Sequence, residues 1–262
     1  MLFLIGMGLT NREIPFTALD DLTSADEVLL DPYTNFIPEE DLAYLSHNFN
    51  IEITSLTRSD LEENSRQIVE RAKGKNVAIL VSGDPLIATT HHTILDLAAK
   101  LGIDYKIYHS SNIFSAAIGE SGLDIYKLGP TTTIAFWTDK YKPVSFIDVI
   151  KRNVDSEQHT IVLFDYNYLE KRKMRLGEAI PVLHAADEQR KHNIMSPSRK
   201  LLILGDIGKK SQSILYTEFG KINKDVLKEF EGKIITMIVP GAMSFAEEDA
   251  IAKFSGIKPA ST

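Results

Sequence analysis

Apolar positions in the first hundred residues fall into short runs separated by amphipathic stretches. Residues 3–5, 27–30, 51–56, 77–81 and 105–108 read as strands. The run 77–81 is almost continuously apolar, the pattern of a parallel strand buried on both faces. Between the runs, residues 17–24, 38–48, 59–72 and 90–100 carry helical spacing. Helix 38–48 opens on Pro38 with Glu39, Glu40 and Asp41 behind it, where the helix dipole favours negative charge. Ser59-Asp60-Leu61-Glu62 spells a capping box, and Leu61, Ile68 and Val69 share one face of the helix it would open. Strands alternating with helices imply an α/β unit with a mostly parallel sheet and right-handed crossovers.

After about residue 110 the pattern changes. Strands are expected at 132–137, 160–164, 201–204, 214–219 and 234–239, and helices near 145–153, 175–189 and 224–230. The alternating stretch 213–219 suits an antiparallel strand near a sheet edge. Two α/β domains are therefore expected, 1–110 and 111–262, with the boundary between about 110 and 130. Residues 258–262 read as a frayed tail.

Charge sharpens the division. Residues 1–128 hold 9 Lys and Arg against 19 Asp and Glu, a net of −10, while the remainder holds 20 against 17, a net of +3. Neither half is basic enough to predict nucleic-acid binding. There is no cysteine, which excludes disulfides, thiolate zinc sites and a cysteine nucleophile. No apolar run approaches the ~18 residues of a membrane span. The apolar start, Met1 to Ile5, lacks a basic flank and reads as a first strand, not a signal peptide.

Candidate chemistry lies in three turns, each placed after a strand, where α/β sheets bind ligands. The first is Ile5-Gly6-Met7-Gly8-Leu9-Thr10-Asn11. It begins like the dinucleotide fingerprint G-x-G-x-x-G, but Asn11 stands where the third glycine belongs, which argues against NAD. The second is Val81-Ser82-Gly83-Asp84-Pro85-Leu86, where an aspartate at a strand's carboxyl end could accept from a ribose hydroxyl or a ligand ammonium. The third is His109-Ser110-Ser111-Asn112-Ile113, small polar residues that end a strand and open a helix. Each also has a plain reading as a tight turn or an N-cap.

Together these segments resemble the tetrapyrrole methylase superfamily, which opens on a G-x-G turn and carries a later Gly-Asp-Pro turn and a Ser-rich strand-to-helix junction. Longer matches narrow the resemblance: Gly83 to His91 (GDPLIATTH), Leu4 to Leu9, Tyr33-Thr34, Gly122 to Lys127 (GLDIYK) and Ile238 to Gly241 (IVPG). They point to the branch that methylates the aminocarboxypropyl-histidine of translation elongation factor 2 in diphthamide biosynthesis. The resemblance implies two α/β domains with S-adenosyl-L-methionine between them, N-methylation carried to the trimethylammonium stage, a homodimer and a cytoplasmic setting. Carried over residue by residue, it implies cofactor contacts at Leu9, Asp84, Ile87, Asn112, Ile113, Phe164, Ile207 and Ile235. Asn112 departs from the usual serine, and Ile235 stands where relatives often carry histidine. The alternative within the same fold is a methylase acting on a tetrapyrrole or ribosomal RNA.

The implied reaction needs an aligned, neutral amine and no metal; no His, Asp and Glu spacing here suggests a metal site. The proton acceptor stays unassigned. Asp165, after strand 160–164, is either a solvated turn carboxylate or a base, and His91 either a packed histidine or a site group. Lys171-Arg172-Lys173-Met174-Arg175 is either a solvated face or a surface that steers an acidic protein partner.

Overall fold

The computed structural model describes residues 1–33 and 35–254; Thr34 and the expected tail at 258–262 lie outside them. The chain divides into two compact units, Met1–Asn112 and Ile113–Thr262.

The first unit is built on five strands: β1 (Leu2–Gly6), β2 (Glu27–Asp31), β3 (Ile53–Ser55), β4 (Val77–Val81) and β5 (Tyr105–Tyr108). They pair in the order β3-β2-β4-β1-β5, every pair parallel. The two-residue period of a strand sends alternate side chains to opposite faces. Leu2, Leu4, Leu29, Val77, Ile79 and Val81 enter one apolar cluster, and Phe3, Ile5, Val28, Leu30, Ala78 and Leu80 enter the other. A sheet covered on both sides explains the unbroken apolar runs; each Val, Leu, Ile or Phe side chain among them contributes roughly 1.5–3 kcal/mol on burial.

Around this sheet lie α1 (Leu19–Thr23), α2 (Glu39–Phe49), α3 (Arg58–Glu62), α4 (Ser65–Arg71) and α5 (His92–Lys100). The helix expected at 59–72 is two helices, α3 and α4. The capping box belongs to Thr57, whose hydroxyl accepts from the Asp60 N–H while Asp60 accepts from the Thr57 N–H. Ser59 instead donates to the Glu63 carboxylate and accepts from the Asn64 amide. Asn64 leaves the helical region, with φ −108° and ψ 13°, and divides the two segments.

The second unit carries α6 (Ile113–Ser121), α7 (Ser145–Asp155), α8 (Leu176–Arg190), α9 (Lys224–Glu229) and α10 (Phe245–Phe254). Its strands are β6 (Thr132–Ile134), β7 (Thr160–Phe164), the short hairpin β8 (Tyr166–Asn167) and β9 (Arg172–Lys173), β10 (Lys200–Gly205), β11 (Ser213–Glu218) and β12 (Ile235–Val239). The main sheet runs β11-β10-β12-β7-β6. Only β6–β7 is parallel; β10 is antiparallel to β11 and β12, and β12 to β7. The alternating strand is indeed an antiparallel edge. Helix α10 and the β8–β9 hairpin escape the sequence pattern, the hairpin because two-residue strands carry no periodicity.

Candidate active site

In the first unit, β4, β1 and β5 are parallel neighbours, so the turns that follow them share one rim of the sheet. Gly8 and Gly83 form an antiparallel bridge there, with N–H to carbonyl distances of 3.1 and 3.0 Å. Both glycines have positive φ, +67° and +72°. A side chain at Gly8 would collide with the Glu13 side chain, so the turn needs glycine there.

Asn11 is 1 % exposed and also has positive φ, 62°. Its carbonyl accepts from the Ser82 hydroxyl (2.7 Å) and its amide donates to Asp41 (3.3 Å). The position of the missing third glycine is thus a left-handed residue spent on a buried polar bridge. Asparagine tolerates that conformation better than other non-glycine residues.

Glu13 ties the first turn to the third. Its carboxylate accepts from the Thr10 N–H (3.2 Å) and from the Ser111 hydroxyl, which in turn accepts the Leu9 N–H at 3.0 Å. Asp84 ties the second turn to the third. Only 4 % exposed, it accepts from the Leu86 N–H (3.0 Å) and the Ser110 N–H (3.3 Å), and its Oδ2 lies 2.8 Å from His109 Nδ1. Leu9, Asn112 and Ile113 are half-buried beside these bonds, and Ile87 is 41 % exposed. Apolar surface and turn amides thus adjoin on one rim. Sequence reasoning missed Glu13 and its role, because its partners lie in turns about a hundred residues apart and no local spacing marks them.

His91 is a packed histidine. It is 3 % exposed, with Nδ1 2.8 Å from the Pro85 carbonyl and Nε2 3.2 Å from the Asp31 carboxylate. His92 is exposed on the first turn of α5.

In the second unit, antiparallel pairing brings the ends of β7 and β10 and the start of β12 to one sheet edge: Ile235 pairs with Gly205, and Thr236 with Leu163. Phe164 and Ile235, and Ile207 just beyond β10, therefore gather there. Ile207 and Ile235 are 6 % and 4 % exposed, and Ile235 packs with Leu176, Ile203 and Phe230. Their side chains serve the core, and Phe164 is half-buried.

Asp165 is no solvated turn carboxylate: it accepts the Phe136 N–H at 2.9 Å and fastens the chain after β6 to the end of β7. The basic cluster is equally engaged. Arg172 and Arg175 both pair with Glu178, and Arg172 lies over the Phe136 ring at 4.3 Å. Lys173 reaches the Gly232 carbonyl, and Met174 is buried.

The segments GLDIYK and IVPG meet through a buried carboxylate that sequence reasoning did not single out. Glu247, 3 % exposed, accepts from the Asp124 N–H (3.0 Å), the Ser244 N–H (2.7 Å), Lys127 (2.9 Å) and His159 Nε2 (2.7 Å). His159 Nδ1 accepts the Gly241 N–H at 3.1 Å, so the neutral ring carries its proton on Nε2. Burial pushes the His159 pKa down. Burial alone would raise that of Glu247, but the Ser244 and Asp124 amides, with Lys127 and His159, reverse it and hold the carboxyl well below its ordinary range.

Among the described residues, no group of three or more His, Asp or Glu side chains could hold a metal ion, and no helix is long and apolar enough to cross a membrane. A surface hollow of ≈ 350 Å³ lies at the opposite rim of the first sheet, at the starts of β2 and β3.

A parallel sheet with glycine turns at its carboxyl rim, followed by a second, mixed-sheet α/β unit, defines a class. Residues 1–223 match the family model of the tetrapyrrole (corrin/porphyrin) methylases. The chain belongs to that family and, within it, to the diphthine synthases. It is 33% identical over 253 residues to the diphthine synthase of Methanococcus maripaludis, covering 96% of this chain and 97% of the relative. It is 32% identical over 254 residues to that of Methanocaldococcus jannaschii, covering 96% and 97%. A crystal structure of a diphthine synthase superposes with a TM-score of 0.83 at 29% identity, covering 97% of this chain and 95% of that one. The chain is accordingly a methyltransferase.

Proposed function

We propose that the protein transfers methyl groups from S-adenosylmethionine to the amino nitrogen of the aminocarboxypropyl-histidine of translation elongation factor 2. The product is the trimethylammonium form, diphthine. S-adenosylmethionine supplies the electrophile, a methyl carried on a sulfonium. The protein's work is to bind, to align the amine and to keep water out.

One observation carries the reading: the Glu13–Ser111–Leu9 and Asp84–Ser110 bonds hold three turns rigidly at one rim, beside part-exposed apolar side chains. That surface fits a nucleoside with a charged tail. Leu9, Ile87 and Ile113 would line the adenine; Asn112 would meet polar atoms. A carboxylate offers about four acceptor positions. Asp84 already uses three on Leu86, Ser110 and His109, which leaves one for a ribose hydroxyl or the cofactor's ammonium. The family resemblance also assigns cofactor contacts to Phe164, Ile207 and Ile235, which for the two buried isoleucines means contact through backbone.

A substrate that belongs to translation implies a cytoplasmic enzyme. A homodimer is also expected. Its support is the family resemblance, together with single exposed apolar side chains such as Phe16 (87 %) and Leu169 (85 %); light scattering that finds a monomer removes it.

The deciding assay incubates the protein with labelled S-adenosylmethionine and elongation factor 2 bearing the aminocarboxypropyl-histidine. Label on the factor, as three methyl groups by mass spectrometry, is the expected result. An unlabelled factor with stoichiometric enzyme overturns the reading.

A further inference from the structure

We propose that His109 is the base that takes the proton from the substrate's amino nitrogen, with Asp84 as the residue that orients it. The proposal rests on the site reading above. An alkylamine near neutral pH is an ammonium, since such groups titrate near ~10. Its nitrogen has no free electron pair until a proton leaves. Repeated methylation therefore needs a proton acceptor that is emptied between rounds.

The rim of the first unit offers few groups for this. His91 is sealed, with an acceptor on each ring nitrogen. The Glu13 carboxylate is occupied by Thr10 and Ser111. Asp84 is 4 % exposed and holds two backbone amides. His109, the first residue beyond β5, has its side chain 65 % exposed, and its Nδ1 lies 2.8 Å from Asp84 Oδ2.

The orientation follows from chemistry. An ionised carboxylate only accepts, so the neutral ring keeps its proton on Nδ1 and its lone pair on Nε2. The Leu86 and Ser110 amides hold Asp84 from two sides, so the orienting group cannot swing. A base fixed by a buried carboxylate is the arrangement that serves general-base catalysis elsewhere. In the step itself, the substrate N–H bond breaks and its electron pair stays on nitrogen. The proton bonds to His109 Nε2, leaving an imidazolium beside Asp84. The exposed ring then releases that proton to water and is ready for the next round.

His109→Asn tests this, because the asparagine amide keeps a donor for Asp84 and removes the basic nitrogen. Turnover is expected to fall ~100-fold or more, the ordinary worth of a general base. Calorimetric affinity for S-adenosylmethionine is expected to stay within about twofold, and added imidazole to restore part of the rate. Nitrogen NMR of the unmodified protein without cofactor is expected to find His109 as the Nδ1–H tautomer. Turnover within about threefold of the parent, a rate loss matched by lost cofactor affinity, or the Nε2–H tautomer overturns the proposal. A parent enzyme that labels no elongation factor overturns the site reading and this proposal together; an active parent with an unimpaired variant overturns only the base.

Discussion

Gly8 illustrates how much one residue decides in this molecule. Its φ of +67° is one that L side chains adopt at a cost of about 1–2 kcal/mol, and the Glu13 carboxylate occupies the space a side chain would fill. Gly8→Ala is expected to lower the unfolding free energy by at least that amount in urea titration, and to disturb the turn that carries Leu9. Glu247 and His159 set a pH dependence. In the folded chain both sit below their ordinary values of 4.5 and 6.5. The unfolded chain therefore binds more protons in acid, and stability is lost as pH falls. The histidine's share is present above 6.5 and drains below it; the carboxylate's is present above 4.5 and drains below that. Melting temperature is expected to fall from about pH 7 downward, and Glu247→Gln is expected to flatten the curve below about pH 4.5. An unchanged slope in the variant would show that Glu247 does not set it.

Among the elements, the α3–α4 break is the clearest case of local capping overriding the apolar pattern. A single amphipathic helix fits the spacing of Leu61, Ile68 and Val69, and the latter two are indeed buried. Yet Thr57, two residues earlier than Ser59, closes the capping box, and Asn64 ends the first segment. Thr57→Ala is expected to cost about 1 kcal/mol, the usual worth of an N-cap, and Ser59→Ala clearly less. Chemical denaturation of the two variants checks the order; equal losses would return the cap to Ser59. In the turns it is tertiary structure that decides. Gly-Asp-Pro and the serine junction are locally ordinary, and become a single rim because β4, β1 and β5 lie side by side.

For the whole molecule, occupation of the proposed site should register as stability. A ligand that binds only the folded state adds RT ln(1 + [L]/Kd), about 2.7 kcal/mol at a hundredfold excess over Kd. S-adenosylmethionine is therefore expected to raise the melting temperature in a concentration-dependent way. A scan unmoved at millimolar cofactor would count against the site. The engaged state of Arg172, Lys173 and Arg175 speaks against the basic cluster as the docking surface for the elongation factor.

By itself the amino-acid order determined what depends on neighbours in the chain. Buried strands such as Val77–Val81 are legible because a sheet covered on both faces demands apolar residues at every position. The three turns are legible because only glycine, proline and small polar residues make them, and their family resemblance rides on those same residues. Tertiary structure alone decided which carboxylate meets which partner. Glu13 finds Ser111 across 98 residues, Asp84 finds His109 across 25, and Glu247 finds His159 across 88. Such pairs leave no spacing to read. The packing of strands, turns and helices makes them neighbours, and only there does a histidine at the end of β5 become an oriented base.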